Sequence, residues 1–175
     1  MLSPLDIKEF FTKMSAHTSA CSSSQFLCTT HASFESWFRV EIVPVLITMG
    51  VPYANISPDF TFPDGGKADL CIQSDSKVIL FELKPFDSGQ DSNKKKEYPR
   101  QIDRLLDHLN KNANILQVIT FTTFNGYSEN KMNKFREEFF SDPRWEIIGP
   151  SQLVKKYPLH LILTSALKGS VHAVL

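Results

Sequence analysis

The chain has 175 residues, and 19 Lys and Arg balance 19 Asp and Glu, giving a formal net charge of zero. Hydrophobic residues make up 42% and charged residues 22%, the usage of an ordinary globular domain long enough to bury a sizeable core. This excludes a wholly disordered chain and a strongly basic coat protein, while leaving local basic patches open.

In chain order, Pro4 to Met14 has the loose apolar spacing of a helix, and Ser15 to Ser24 is small and polar, a loop or lead-in. From Phe34 to Leu46 apolar residues recur at three- and four-residue steps, predicting an amphipathic helix with Ser33 as N-cap and Gly50 just past its end. Pro44 should kink or split it. Pro52 to Phe62 reads as extended, and Pro63-Asp64-Gly65-Gly66 as a turn. Ala68–Gln73 and Lys77–Leu83, flanking Ser74-Asp75-Ser76, read as a β-hairpin that ends at Pro85. A helix over Glu97–Asn112 follows, then a buried strand over Ile115–Phe124, a turn at Asn125-Gly126 and a basic helix over Ser128–Phe140. Trp145–Ile148 suits a short strand and Ser151–Tyr157 a short helix capped by Ser151. Leu159 to Leu175 fits strand or helix equally. The order of elements predicts an α/β fold with a mixed central sheet flanked by helices, built as a single domain over 1–175.

Three cysteines, Cys21, Cys28 and Cys71, have neither the pairing of a disulfide framework nor zinc-site spacing. The N-terminus lacks a secretory pattern, and no apolar run reaches the roughly 18 residues of a membrane span. A cytoplasmic location without membrane contact is therefore expected.

One pattern points to chemistry. Asp69 lies in the first hairpin strand, and Glu82-Leu83-Lys84 closes the second, thirteen residues after Asp69. Strand alternation puts Glu82 and Lys84 on one face with Val78 and Leu80. Two charges at the end of an apolar run cost free energy unless they pair or bind something. Carboxylates of Asp69 and Glu82 that converge would repel each other, and a divalent cation would relieve that repulsion. Two carboxylates and the Leu83 carbonyl suit Mg²⁺, with Mn²⁺ as a substitute, leaving room for a substrate phosphate. Lys84 would serve the attacking water.

The arrangement resembles the PD-(D/E)XK nuclease superfamily, of restriction-endonuclease-like fold, over about residues 33–124. On that resemblance the core is αβββαβ, residues 1–32 are an N-terminal helix and Ser-rich lead-in, and 125–175 are a C-terminal extension. Asp69, Glu82 and Lys84 take the motif positions. A further helix Glu would help to hold the metal; Glu41, on the inward face with Phe38 and Val45, is preferred to Glu35, read as a solvated partner of Arg39. Gln101, with Tyr98 nearby, takes a position on the second helix that faces the site. Lys94, Lys95, Lys96, Arg100 and Arg104 would grip the nucleic-acid backbone. The implied function is Mg²⁺-dependent hydrolysis of phosphodiester bonds, in DNA first of all. Specificity would come from a homodimer or a partner subunit. The alternatives are a catalytically inactive nuclease-fold subunit that binds nucleic acid or a protein, and an unrelated α/β protein in which the motif is chance.

Overall fold

The computed structural model describes residues 2–21, 34–87, 92–152 and 159–169. Its elements are α1 (Ile7–Ala20), α2 (Phe34–Thr48), β1 (Ile56–Thr61), β2 (Lys67–Ser74), β3 (Lys77–Asp87), α3 (Ser92–Lys111), β4 (Ile115–Asn125), α4 (Glu129–Phe139), β5 (Glu146–Gln152) and β6 (Leu159–Leu167). The six strands form one mixed sheet in the order β1-β2-β3-β4-β6-β5. β1, β2 and β3 form an antiparallel meander; β4 returns parallel to β3 through α3, and β6 runs antiparallel to both β4 and β5. The chain is thus α/β, with helices on both sides of a mixed sheet.

Each face of the sheet buries one apolar set. On one side Phe10 and Met14 of α1 and Phe38, Ile42 and Leu46 of α2 pack on Leu70, Ile79, Phe81, Leu83 and Phe121. On the other, Tyr98, Ile102 and Leu105 of α3 and Met132 and Phe135 of α4 pack on Val78, Leu80, Val118 and Phe124. Alternation along β3 divides the two sets, odd residues to α1 and α2, even residues to α3.

The helix α2 remains one element through Pro44, which is exposed; it is not split. Gly50, at φ 84°, closes it. The N–H groups of Gly50 and Val51 donate to the carbonyls of Ile47 and Leu46 at 2.9 and 3.1 Å, and Val51 is buried against the same core as Leu46. This is the glycine-terminated helix end the sequence promises. Ser33 lies outside the described residues.

Four boundaries differ from the sequence reading, the first being α3, which begins at Ser92, five residues before the expected Glu97. α1 runs to Ala20, through much of the stretch read as a loop, because Asp6 caps its start and Thr18 donates back to the Met14 carbonyl. Strand β3 continues past Pro85 to Asp87. Leu83 and Pro85 present their backbone nitrogens to the β2 side, where the β2–β3 ladder has already ended at Leu70 and Phe81, so proline forfeits no ladder bond there. Ser151 and Gln152 belong to β5, paired with Leu161 and His160, so Ser151 caps no helix; residues 153–158 lie outside the described residues. The ambiguous tail resolves as β6, which is buried on both faces and so shows an apolar run rather than an alternation.

Candidate functional site

The site forms where β2 parts from β3. The antiparallel pairing ends at Leu70 opposite Phe81, and one step further the register would set Asp69 opposite Glu82. The chain departs from regular pleating at this step. Leu70 packs on the α2 side, yet Ala68, two residues away, packs on the α3 side; in a regular strand they would share a face. On the neighbouring strand the β1–β2 pairs skip from Pro58–Leu70 to Phe60–Ala68, and the skipped residue, Asp59, has φ 56°. Aspartate tolerates the left-handed region better than most side chains, so the distortion there is cheap.

The Asp69 carboxylate fills the opening. Its Oδ2 accepts the backbone N–H of Leu83 at 2.7 Å, replacing the carbonyl that β2 would have offered. Its Oδ1 accepts from Nη2 of Arg39 at 2.9 Å. The same guanidinium donates to Glu35 at 3.1 Å and, through Nη1, to Asp59 at 3.3 Å. Arg39 therefore ties α2 to β1 through Asp59 and to β2 through Asp69, with Glu35 of its own helix as a third acid.

Glu82 and Lys84 lie on the α3 face of β3, level with Thr120 and Thr122 of β4. The Glu82 side chain is buried, and its Oε2 has no hydrogen-bond partner among the described residues. Burial, with Asp69 nearby, pushes its carboxyl up to about 8; Lys84 and Arg104 pull the other way without cancelling the effect. Neutral pH thus leaves Glu82 largely protonated in the absence of a cation. Tyr98 of α3 is wholly buried and shares a hydrogen bond with Thr122. Its phenol is pushed up by burial, and the nearby Glu82 and Asp69 add to this. Its ring packs against Phe86 and Phe135, so Tyr98 is a wall of the site. Gln101, one helical turn on, is half-buried, and its Oε1 is an orphaned buried acceptor among the described residues.

Not every expected residue gathers here. Glu41 does face inward, but onto α1: it is in hydrogen-bond contact with Nε2 of His17, and its other oxygen accepts from Sγ of Cys21 at 3.7 Å. Residues six apart on a helix point about 120° away from each other, so Glu35 and Glu41 cannot serve one site. Glu35 is the helix acid on the Asp69 side, sharing Arg39 with it and raising the Glu82 carboxyl through its charge. Arg104 is engaged with the β1–β2 turn, donating to the Lys67 carbonyl at 3.1 Å and lying over the Phe62 ring. Lys96 and Arg100 are exposed on α3; the side chains of Lys94 and Lys95 lie outside the described residues.

Sequence reasoning missed Arg39 as more than a helix-surface partner of Glu35, and missed Asp59 as a partner of Arg39. The signal for Arg39 is only its spacing from Glu35; nothing local announces Asp69, 30 residues on.

Among the described residues no group of three or more His, Cys, Asp or Glu side chains is gathered around one point as a metal cage. The donor set is two carboxylates, Asp69 and Glu82, with the carbonyl of Leu83, the residue after Glu82. That set fits Mg²⁺, which is held through one or two carboxylates and keeps places for water and a substrate phosphate. The unpartnered Glu82 oxygen supports the fit, since a buried acceptor without a donor is costly unless something compensates it. Among the described residues no helix is long and apolar enough to cross a membrane. Comparison of the chain with family models, with curated proteins and with solved structures finds no match.

Proposed function

We propose that the protein is a divalent-metal-dependent nuclease of the restriction-endonuclease-like kind, hydrolysing phosphodiester bonds and acting first of all on DNA. The single observation that carries this reading is the opening where β2 leaves β3, at which the register sets Asp69 level with Glu82 and the Asp69 charge raises the Glu82 carboxyl, with Lys84 next on the Glu82 face. The αβββαβ order from α2 to β4 is consistent with it.

In this reading Asp69, Glu82 and the Leu83 carbonyl hold Mg²⁺ or Mn²⁺. When bound, the ion would supply Lewis-acid polarisation of the scissile phosphate and lower the pKa of a coordinated water. The chain's own residues do the rest. The Leu83 N–H fixes the rotamer of Asp69, so the acid is oriented before substrate arrives. Lys84 supports the attacking water and neutralises charge that develops on the phosphoryl oxygens. Gln101 lends its amide to the water or to a phosphate oxygen. Buried Tyr98 and Phe86 close the floor against bulk solvent. Lys96 and Arg100 offer backbone contacts. With a net charge of zero, such contacts are local, and a second copy or a partner subunit would supply the remainder.

The test is incubation of supercoiled plasmid and single-stranded DNA with Mg²⁺, with Mn²⁺ and with chelator. Metal-dependent cleavage that is lost in Asp69→Asn supports the reading; no cleavage of either substrate overturns it. A second reading, a catalytically inactive subunit that binds nucleic acid or a protein, is favoured by one observation: a guanidinium already compensates Asp69.

A further inference from the structure

We propose that Arg39 is a resident competitor for the cation, occupying the Asp69 oxygen that a divalent ion needs and withdrawing onto Glu35 and Asp59 when the ion arrives. This inference rests on the metal-dependent reading above.

The argument starts from Asp69. Oδ2 is committed to the Leu83 N–H at 2.7 Å, and Oδ1 to Arg39 Nη2 at 2.9 Å. An ion taking Oδ2 would orphan a half-buried backbone donor, which is costly. Among the described residues, an ion taking Oδ1 meets Arg39. The guanidinium has a planar fork of donors and two further acids at hand, Glu35 at 3.1 Å and Asp59 at 3.3 Å. It can leave Asp69 without becoming an unpaired charge, so the exchange of one cation for another is inexpensive.

Sequence and backbone both serve this arrangement. Glu35 stands four residues before Arg39, the spacing of a helical ion pair. Asp59 reaches the same guanidinium from the point where β1 steps out of regular pairing. Without Arg39, the carboxylates of Glu35, Asp59 and Asp69 would lose the cation that all three share. Arg39 therefore supports the metal-free fold and opposes metal loading. The two effects have opposite signs, and an ordinary structural arginine would show only the first. Arg39 is in this sense a positioning residue: it orients Asp69 and acts on the ion through it.

The experiment is a calorimetric titration of Mn²⁺ into the metal-free full chain, alongside thermal melts in chelator, for the wild type and Arg39→Gln. The expected result is a crossover: Arg39→Gln melts at a lower temperature in chelator yet binds Mn²⁺ roughly tenfold more tightly. Equal or weaker Mn²⁺ binding by Arg39→Gln overturns the inference while leaving the metal site standing. Absence of Mn²⁺ binding in both proteins overturns the metal reading, and this inference with it. Crystal structures of the wild type with and without Mn²⁺ give a check independent of any variant. The Arg39–Asp69 hydrogen bond should open in the loaded form while the contacts to Glu35 and Asp59 persist; an unbroken bond in the loaded form contradicts the proposal.

Discussion

Asp69 accepts the backbone N–H of Leu83 at 2.7 Å, so a side chain continues a ladder that the strand itself has left. The bond joins the first acid of the candidate site to the residue between Glu82 and Lys84, and so fixes the spacing of all three. Asp69→Ala should strand that donor and release Arg39, lowering stability by about 1–3 kcal/mol. Asp69→Asn keeps an acceptor and should cost less. Chemical denaturation of both variants checks the order; equal losses would mean the Leu83 bond contributes little.

Glu82 sets a pH dependence. Its carboxyl is raised from 4.5 to about 8, chiefly by burial, so the folded state holds a proton that the unfolded chain has given up. Stability from this group is fully present below the unfolded value near 4.5 and is lost as pH rises towards about 8. Metal-free protein should lose roughly 2–4 kcal/mol across that window, and Glu82→Gln should flatten the profile. Because a bound cation needs the ionised form, Mn²⁺ affinity should rise over the same range. Melting temperatures and titrations at pH 5, 6.5 and 8 test both statements.

The two helix acids should separate cleanly. Glu41→Ala removes the contact with His17 on α1, so it should lower the melting temperature by a few degrees and leave Mn²⁺ affinity unchanged. Glu35→Gln removes a charge beside Asp69 and should weaken Mn²⁺ binding several-fold. If Glu41→Ala were the variant that weakens the ion, the placement of α1 against α2 would be in question.

How far the sequence carried the reading follows from the range of each interaction. The thirteen-residue interval from Asp69 to Glu82 suffices to set them level, because a hairpin with a short turn allows little choice of register. Periodicity placed Glu41 on the inward side of its helix and was right about burial; it had no means of saying inward to what. The cover is α1, whose last turn, including His17, lay in a Ser-rich stretch that reads as a loop. Arg39 shows the same limit. Its partner at i−4 is legible, whereas its bonds to Asp59 and Asp69 depend on an irregularity in β1 that propensity does not encode. Strand β6 was ambiguous because both of its faces are buried, which erases the alternation by which strands are recognised.

Lys84→Ala should separate folding from chemistry. The side chain is half-buried on β3, on the same face as Glu82. Its removal should leave the melting temperature within a few degrees and cut DNA cleavage by about 10²-fold or more. Cleavage at the wild-type rate would remove Lys84 from the mechanism.

The central claim is that a divalent ion sits between the acids at the β2–β3 opening. Anomalous diffraction from crystals grown with Mn²⁺ tests it most directly. The account predicts a peak about 2–2.3 Å from carboxylate oxygens of both Asp69 and Glu82 and close to the Leu83 carbonyl. An anomalous map with no peak there, with Arg39 still seated on Asp69, would contradict it.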